Sequence, residues 1–243
     1  MSWPKRTQVL RSMWNGRARS WSHHVFDSPL FEIVRSSVLD AARAGPGDRV
    51  VDLGAGSGFL AVELAPQVSE VIAVDIAEAM LEALQAEARR RGIDNVECRV
   101  ADLATFDLPA ASVDVVVSNY ALHHLTDPDK AVLLGRACRW LRPGGRLVVA
   151  DMMFGRGLSS ADRTIIWDKV RTLVAKGWGG WWRVAKNVVR FGLRRGTELP
   201  ATPEFWTAAA EAAGFDYVRY TPIVAEAGLL SAQAPTPSQT GPP

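Results

Sequence analysis

Short apolar runs alternate with segments of helical spacing between residues 45 and 151, and this alternation limits the possible folds most strongly. The strand-like runs are Arg49–Leu53, Glu70–Ile76, Val96–Ala101, Ser112–Ser118 and Arg146–Asp151. The helix-like segments between them are Ser57–Ala65, Ala77–Arg91 and Asp129–Leu141. Continuous apolar strands linked by helices are typical of a parallel sheet covered on both faces. The pattern therefore predicts an α/β, Rossmann-like, doubly wound fold.

The chain divides into five predicted zones. Residues 1–44 form a basic N-terminal arm and helix, and residues 45–151 form the sheet core. Residues 152–203 are predicted to be a helical insertion after the fifth strand, which with the arm makes a helical cap. Residues 204–231 add a helix and two strands, which complete a seven-stranded, mostly parallel sheet. Residues 232–243 are rich in Pro, Ser, Thr and Gln, so we expect a disordered tail.

A glycine-rich turn follows the first predicted strand, in the run Asp52-Leu53-Gly54-Ala55-Gly56-Ser57-Gly58-Phe59. In open parallel sheets the ligand binds at this carboxyl edge. Phe59 replaces the third glycine of a dinucleotide fingerprint, and no Gly-Lys-Ser/Thr follows, as a phosphate-binding loop requires. The Asp52 carboxylate would repel a pyrophosphate but suits a ligand with an ammonium group.

This segment resembles motif I of the class I S-adenosylmethionine (SAM)-dependent methyltransferases, and the following strands fit that family in order. The resemblance implies SAM as the cofactor. It implies that Asp75 binds the ribose hydroxyls, that Ile76 and Met80 pack on the adenine, and that Asp102 accepts a hydrogen bond from the adenine amino group. The residues implied to contact the cofactor are Asp52, Gly54, Ala55, Gly56, Ser57, Gly58, Asp75, Ile76, Met80, Asp102, Leu103, Ser118 and Asn119.

The run that ends the fourth strand, Asn119-Tyr120-Ala121-Leu122-His123-His124-Leu125, points to the acceptor. It lacks the prolines found in enzymes that methylate bases, and it resembles small-molecule methyltransferases, including those of quinone biosynthesis. We therefore expect a small-molecule acceptor, with an apolar or membrane-presented quinone-, lipid- or polyketide-like compound as the candidate class.

Five residues are candidates for acceptor binding or catalysis. His123 and His124 follow the fourth strand, and imidazole is the usual base near neutral pH; the alternative is a noncatalytic role for both. The candidates for substrate contact are Trp21, Tyr120 and Trp181.

Other functions remain open from the sequence. One is methylation of a nucleic acid such as tRNA or rRNA, and another is non-methylating chemistry on a SAM-binding fold. A non-catalytic SAM-binding protein is a further alternative, and a nicotinamide oxidoreductase is disfavoured by Phe59 and by the lack of a catalytic Tyr-x-x-x-Lys. The acceptor atom (O, N, C or S) and the oligomeric state are not predicted.

The insertion is strongly basic and rich in tryptophan. Residues 156–195 contain ten Arg and Lys against Asp162 and Asp168, although the whole chain has a net charge of only +2. Three interpretations follow: an internal cap with a solvated basic face, a peripheral contact with an anionic membrane, or a contact with an anionic partner such as nucleic acid.

The two cysteines, Cys98 and Cys138, belong to no Cys/His cluster, so no metal site is predicted. The first residues lack the apolar core of a secretory signal, and no apolar run approaches the ~20 residues of a membrane span. We expect a cytoplasmic protein, with peripheral membrane association as the alternative.

Overall fold

The computed structural model describes residues 3–26, 28–154, 197–224 and 227–236. The α-helices are α1 (Trp3–Phe26), α2 (Pro29–Ala42), α3 (Ala61–Leu64), α4 (Glu78–Arg91), α5 (Asp127–Trp140) and α6 (Pro203–Ala212). Short 3₁₀ turns cover Ala65–Gln67 and Leu122–His124. The strands are β1 (Arg49–Leu53), β2 (Glu70–Asp75), β3 (Val96–Val100), β4 (Val113–Asn119), β5 (Leu141–Met152), β6 (Asp216–Val224) and β7 (Ala227–Gln233).

The seven strands form one sheet in the order β3-β2-β1-β4-β5-β7-β6. The first five pair in parallel, and β7 pairs antiparallel with both β5 and β6. The order reverses direction between β1 and β4, so the carboxyl ends of these two strands flank the crevice in which such sheets bind ligands. The predicted seven-stranded, mostly parallel, Rossmann-like sheet is confirmed.

Apolar residues on both faces of the central strands explain the two helical layers. Side chains alternate between the two faces of a strand, so Val50 and Val51 of β1 enter different apolar clusters. One cluster packs around Trp140 of α5 and Trp206 of α6, both fully buried. The other packs against Val34 and Val38 of α2 and against the side chains of α4. The core strands are consequently buried, and polar groups can reach a ligand only at their ends.

The helix ends follow ordinary capping chemistry. The Thr202 hydroxyl accepts a hydrogen bond from the Phe205 amide at the start of α6, next to Pro203. Gly92 ends α4 in the left-handed conformation, with φ 68°.

Three predicted boundaries were wrong. The helix after the glycine-rich turn begins at Ala61 rather than Ser57, because Gly56 and Gly58 have positive φ. Strand β5 begins at Leu141 and continues through the predicted Pro-Gly-Gly turn. Strand β7 extends to Gln233 because it pairs with β5 as far as Arg146, so residues 232 and 233 do not belong to a disordered tail.

The predicted insertion falls largely on residues 155–196, outside the described part of the chain. Within the described part, no helix has the length and apolar character needed to span a membrane.

Candidate cofactor and acceptor site

A cavity opens at the carboxyl edge of β1, β2 and β4, beneath the N-terminal helix α1. Its wall on the cofactor side consists of Asp52, Gly54, Ala55, Gly56, Ser57, Asp75, Ile76, Met80, Asp102 and Leu103. Its remaining wall consists of Thr7, Leu10, Trp14, Trp21, Phe31, Phe59, Leu60, Asn119, Tyr120, Ala121, His124 and Leu125. The topology therefore brings eleven of the thirteen residues predicted to contact the cofactor to one cavity.

The glycine-rich turn follows β1 with little space for side chains. Gly54 has φ 76°, and a Cβ there would lie 2.2 Å from the Cβ of Ala121. Gly56 also has a positive φ, but a Cβ there would enter open space. The Gly56 amide donates a hydrogen bond to Oδ2 of Asp75 (2.9 Å), so the turn is fixed to the end of β2.

Two carboxylates along this edge are held by backbone amides. Oδ1 of Asp75 accepts a hydrogen bond from the Ala77 amide (2.8 Å), while burial raises the pKa of Asp75. Oδ1 of Asp102 accepts one from the Ala104 amide (2.9 Å), and its Oδ2 accepts one from the Thr7 hydroxyl (2.8 Å). A carboxylate oxygen has more than one lone-pair site, so each oxygen can still accept a hydrogen bond from a ligand.

Three buried polar atoms among the cavity-lining residues have no hydrogen-bond partner: Oδ2 of Asp52, Oδ1 of Asn119 and Nε2 of His124. Burial and the neighbouring charge of Asp75 raise the pKa of Asp52 to about 8. Buried polar groups without partners are uncommon and costly, so these atoms are candidates for hydrogen bonds with a ligand that carries donors.

Aromatic rings form a continuous edge-to-face series along the opposite wall. The centroid of the Trp14 ring lies 5.5 Å from that of His124 and 5.2 Å from that of Trp21. Phe31 then contacts Trp21 at 5.7 Å and Tyr120 at 5.0 Å. Tyr120 has φ 52°, which is unusual for a residue with a side chain and is characteristic of functional sites. This wall suits a flat, apolar molecule.

The two candidate catalytic histidines have different environments. Nδ1 of His123 bonds to Oδ1 of Asp151 (2.6 Å), and the His123 amide donates to Oδ2 (2.9 Å). Despite burial, these contacts and the Met152 amide lower the pKa of Asp151. His123 therefore lies buried behind the cavity wall, whereas the His124 ring forms part of that wall. Burial and the charge of His123 lower the pKa of His124 to about 3, so the ring is neutral at physiological pH.

Two residues predicted to contact the cofactor do not line the cavity. The Ser118 hydroxyl donates to the Leu53 carbonyl (2.7 Å) and joins the ends of β4 and β1. Gly58 allows the turn to pack against α4, because a Cβ there would lie 2.7 Å from Cγ of Leu84. We therefore assign both to the support of the turn. Trp181 lies outside the described residues.

Sequence reasoning missed several residues of the cavity. Thr7, Leu10 and Phe31 come from α1 and α2, and only their helical spacing and the apolar character of two of them could have indicated a buried face. Asp151 is the last residue but one of β5, and Asp75 is the last residue of β2; an acid near a strand end is a signal in the sequence, but the pairing of Asp151 with His123 depends on the fold. Among the described residues, no cluster of three or more His, Cys, Asp or Glu could hold a metal ion.

Comparisons with known proteins agree with this geometry. Residues 50–145 match the family described as a methyltransferase domain. Nocamycin O-methyltransferase of Saccharothrix syringae is 37% identical over 120 residues, which cover 48% of this chain and 42% of the relative. Aklanonic acid methyltransferase DauC of Streptomyces sp. (strain C5) is 34% identical over 123 residues, which cover 49% of this chain and 55% of the relative. The chain thus spans about half the length of these curated relatives.

A solved structure shows the same fold. The crystal structure of the YcgJ protein of Bacillus subtilis aligns with a TM-score of 0.59 and 20% identity, over 78% of this chain and 70% of that chain. The family match covers β1 through the start of β5, which contains the glycine-rich turn and the carboxylates of the cavity. The chain therefore carries a class I SAM-dependent methyltransferase domain, whose cofactor is SAM.

Proposed function

We propose that the protein transfers the methyl group of SAM to a small-molecule acceptor that carries an O–H or N–H group. The observation that carries this proposal is the set of three unpartnered buried acceptors around one cavity, on Asp52, Asn119 and His124. A ligand pair with a cationic amine and a protic nucleophile would supply the donors that these atoms lack.

The residues of the cofactor side fit SAM. The free oxygen of Asp52 suits the amino group of its methionine part, since a buried carboxylate is stabilised by a nearby cation. The open space at Gly56 leaves room for a ligand against the backbone. Asp75 would hold the ribose hydroxyls, and Asp102 the adenine amino group. When bound, SAM supplies a methyl group on a positively charged sulfur, which is a good leaving group.

The residues of the acceptor side have three tasks: they orient the nucleophile, exclude water and accept a hydrogen bond from it. His124 lines the cavity and its buried Nε2 has no hydrogen-bond partner, and the aromatic wall of Trp14, Trp21, Phe31 and Tyr120 would surround a flat acceptor. Holding two reactants in line accounts for much of the rate of such displacements. The relatives nocamycin O-methyltransferase and aklanonic acid methyltransferase support a small-molecule, polyketide-like acceptor.

Matched acceptor pairs test this proposal. We would incubate the protein with SAM and a hydroxynaphthoquinone, or with its methyl ether, and measure S-adenosylhomocysteine (SAH) by mass spectrometry. We expect SAH with the hydroxyl compound and not with the ether. The same assay with thiols and with tRNA tests the remaining acceptor classes. Binding of SAM with no turnover for any protic acceptor would favour non-methylating chemistry on this fold.

The substitutions His124→Gln and His123→Gln distinguish the roles of the two histidines. Gln at position 124 keeps a polar side chain but removes the fixed imidazole lone pair that accepts a hydrogen bond, so we expect kcat to fall by about 10- to 100-fold while SAH affinity stays within a few-fold. His123→Gln should mainly lower stability, because His123 is the buried partner of Asp151. Unchanged turnover in His124→Gln would exclude this role of His124 as a hydrogen-bond acceptor for the nucleophile.

We also propose that the protein is cytoplasmic and, from the sequence of the basic segment 156–195, that this segment can contact anionic membranes. Co-sedimentation with vesicles of anionic and of neutral lipid tests this. Equal sedimentation with both vesicle types at low salt would contradict it.

A further inference from the structure

The segment that follows the insertion returns to the 3₁₀ turn that carries both histidines. The Leu199 amide donates to the His123 carbonyl (2.6 Å), and Nζ of the fully buried Lys130 donates to the Leu199 carbonyl (2.6 Å). The Thr197 carbonyl lies 3.0 Å from Nδ1 of His124. We call residues 197–199 the return segment. It lies against His124, on the acceptor side of the cavity.

The contact with Thr197 determines the tautomer of His124. A backbone carbonyl can only accept a hydrogen bond, so Nδ1 of His124 must carry the proton. In a neutral imidazole the other nitrogen is then a lone-pair acceptor. Because the pKa of His124 is about 3, the ring is neutral, and its Nε2 is the atom left without a partner.

Arg6 of α1 joins the return segment to the 3₁₀ turn. Its Nη2 donates to the carbonyls of both His124 and Thr197, each at 3.0 Å. A planar guanidinium can hold two carbonyl groups at fixed angles, which a lysine ammonium cannot do with the same geometry. Arg6 thus fixes the distance between the histidine backbone and the carbonyl that holds its ring.

We propose that Arg6 and the Thr197 carbonyl are positioning groups that hold His124 as a neutral acceptor facing the methyl acceptor. The inference rests on the proposed function, since it assigns a task to His124 in methyl transfer. In this arrangement α1 and the return segment are fixed by the same interactions that fix the ring. The acceptor is therefore a compound whose reactive O–H or N–H meets a lone pair rather than a hydrogen-bond donor.

Several charged groups surround the His124 ring and affect its titration. His123 and Arg6 disfavour a positive charge on the ring, whereas the ionised Asp151 favours one. Asp129 lies near Arg6 and favours the charge of the guanidinium. Loss of Arg6 removes one repulsion, which favours the charged ring, whereas a loosened contact with Thr197 disfavours it, because that hydrogen bond raises the pKa of His124. The loosened contact also allows the second tautomer, which is therefore the clearer readout.

The test uses the full chain with Arg6→Gln, Arg6→Lys and the control Arg11→Gln. Arg11 is a suitable control because it also donates from α1 to a backbone carbonyl, that of Ile76, but on the cofactor side. Two-bond ¹H–¹⁵N spectra of the imidazoles report the tautomer and titration of each ring. His124→Gln assigns the signals of His124 among the four histidines.

In the wild type and in the control variant Arg11→Gln, we expect a single Nδ1–H tautomer of His124 that does not titrate between about pH 5 and pH 8. Arg6→Gln should show tautomer exchange at His124, with kcat for the hydroxynaphthoquinone probe reduced about 10- to 100-fold and SAH affinity kept. Arg6→Lys should restore neither the tautomer nor kcat, because a lysine ammonium lacks the fixed planar geometry with which Nη2 donates to both carbonyls.

Two results would overturn the inference: an unchanged His124 spectrum in Arg6→Gln, or full restoration of the wild-type spectrum by Arg6→Lys. Either result can be read even if the probe is not a substrate, because the spectrum needs no turnover. Absence of methyl transfer by the wild type, with the expected spectra in all variants, would instead contradict the proposed function.

Discussion

Burial of the Asp52 carboxyl group lowers the stability of the ligand-free protein, and ligand binding explains this cost. Its carboxyl group is fully buried, and one of its oxygens has no hydrogen-bond partner. Ionisation of such a group is unfavourable until a cation lies beside it, which is why burial and Asp75 raise its pKa to about 8. The buried carboxyl group of Asp52 thus destabilises the ligand-free protein but favours the binding of a ligand with an amino group.

Asp52→Asn should stabilise the protein without ligand. The native carboxyl keeps its proton to about pH 8, whereas the ordinary value for Asp is 3.8. The native state therefore binds more protons than the unfolded state between these values, and the free energy of unfolding falls as pH rises. Asn removes this loss, so the gain in Tm over the wild type should grow from pH 5 to about pH 8. Thermal unfolding at several pH values measures it, and a gain independent of pH would contradict the assignment.

Gly56→Ala and Gly58→Ala should show that one glycine of the turn serves ligand binding and the other serves the stability of the protein. Both glycines have positive φ, so alanine at either position costs about 1–3 kcal/mol of backbone strain. At Gly58 the new methyl also meets Leu84, whereas at Gly56 it enters the cavity. We expect the larger loss of Tm in Gly58→Ala and the larger loss of SAH affinity in Gly56→Ala. Similar effects of both substitutions on both quantities would argue against this division.

Helix α1 is held over the cofactor half of the cavity by polar contacts with its edge. Thr7 donates to Asp102 (2.8 Å), Arg11 donates to the Ile76 carbonyl (3.2 Å), and Asn15 accepts from the Ala79 amide (3.1 Å). Its side chains Leu10 and Trp14 line the cavity. Because α1 covers this side, we expect its contacts to control the release of the cofactor.

The double variant Thr7→Val/Asn15→Ala should accelerate the dissociation of SAH. Each lost hydrogen bond is worth about 1 kcal/mol, so together they should increase the dissociation rate by about 10- to 30-fold. Stopped-flow tryptophan fluorescence measures this rate. Ser37→Ala, which removes an exposed side-chain bond within α2, should leave it unchanged. A double variant with the wild-type rate would show that α1 does not limit release.

The order of strands and helices could be predicted because it follows from apolar periodicity, which is local. Three boundaries could not, since they depend on positive φ at Gly56 and Gly58 and on the pairing of β5 with β7. The acidic edge was predictable, because Asp52, Asp75 and Asp102 each lie within two residues of the end of a strand. The exclusion of Ser118 from the cavity was not, because its hydroxyl bonds to a carbonyl on a neighbouring strand.

The protein as a whole combines a conventional sheet with an acceptor side formed by distant parts of the chain. The N-terminal helix, the β4 end and the return segment meet at His124, although Arg6 and Thr197 are 191 residues apart. No local pattern in the sequence predicts that meeting. This dependence on contacts between distant residues explains why the cofactor could be inferred from motif I, whereas the orientation of the two histidines could be seen only in the folded chain.

Isothermal titration calorimetry with SAH tests the central claim most directly, because the claim concerns ligand binding and needs no knowledge of the acceptor. We predict a binding heat at one site per chain for the wild type, and an affinity about 10- to 100-fold lower for Asp52→Asn, from the loss of a charge-assisted hydrogen bond. Absence of heat with both SAM and SAH in folded wild-type protein, or equal affinity in Asp52→Asn, would contradict the account.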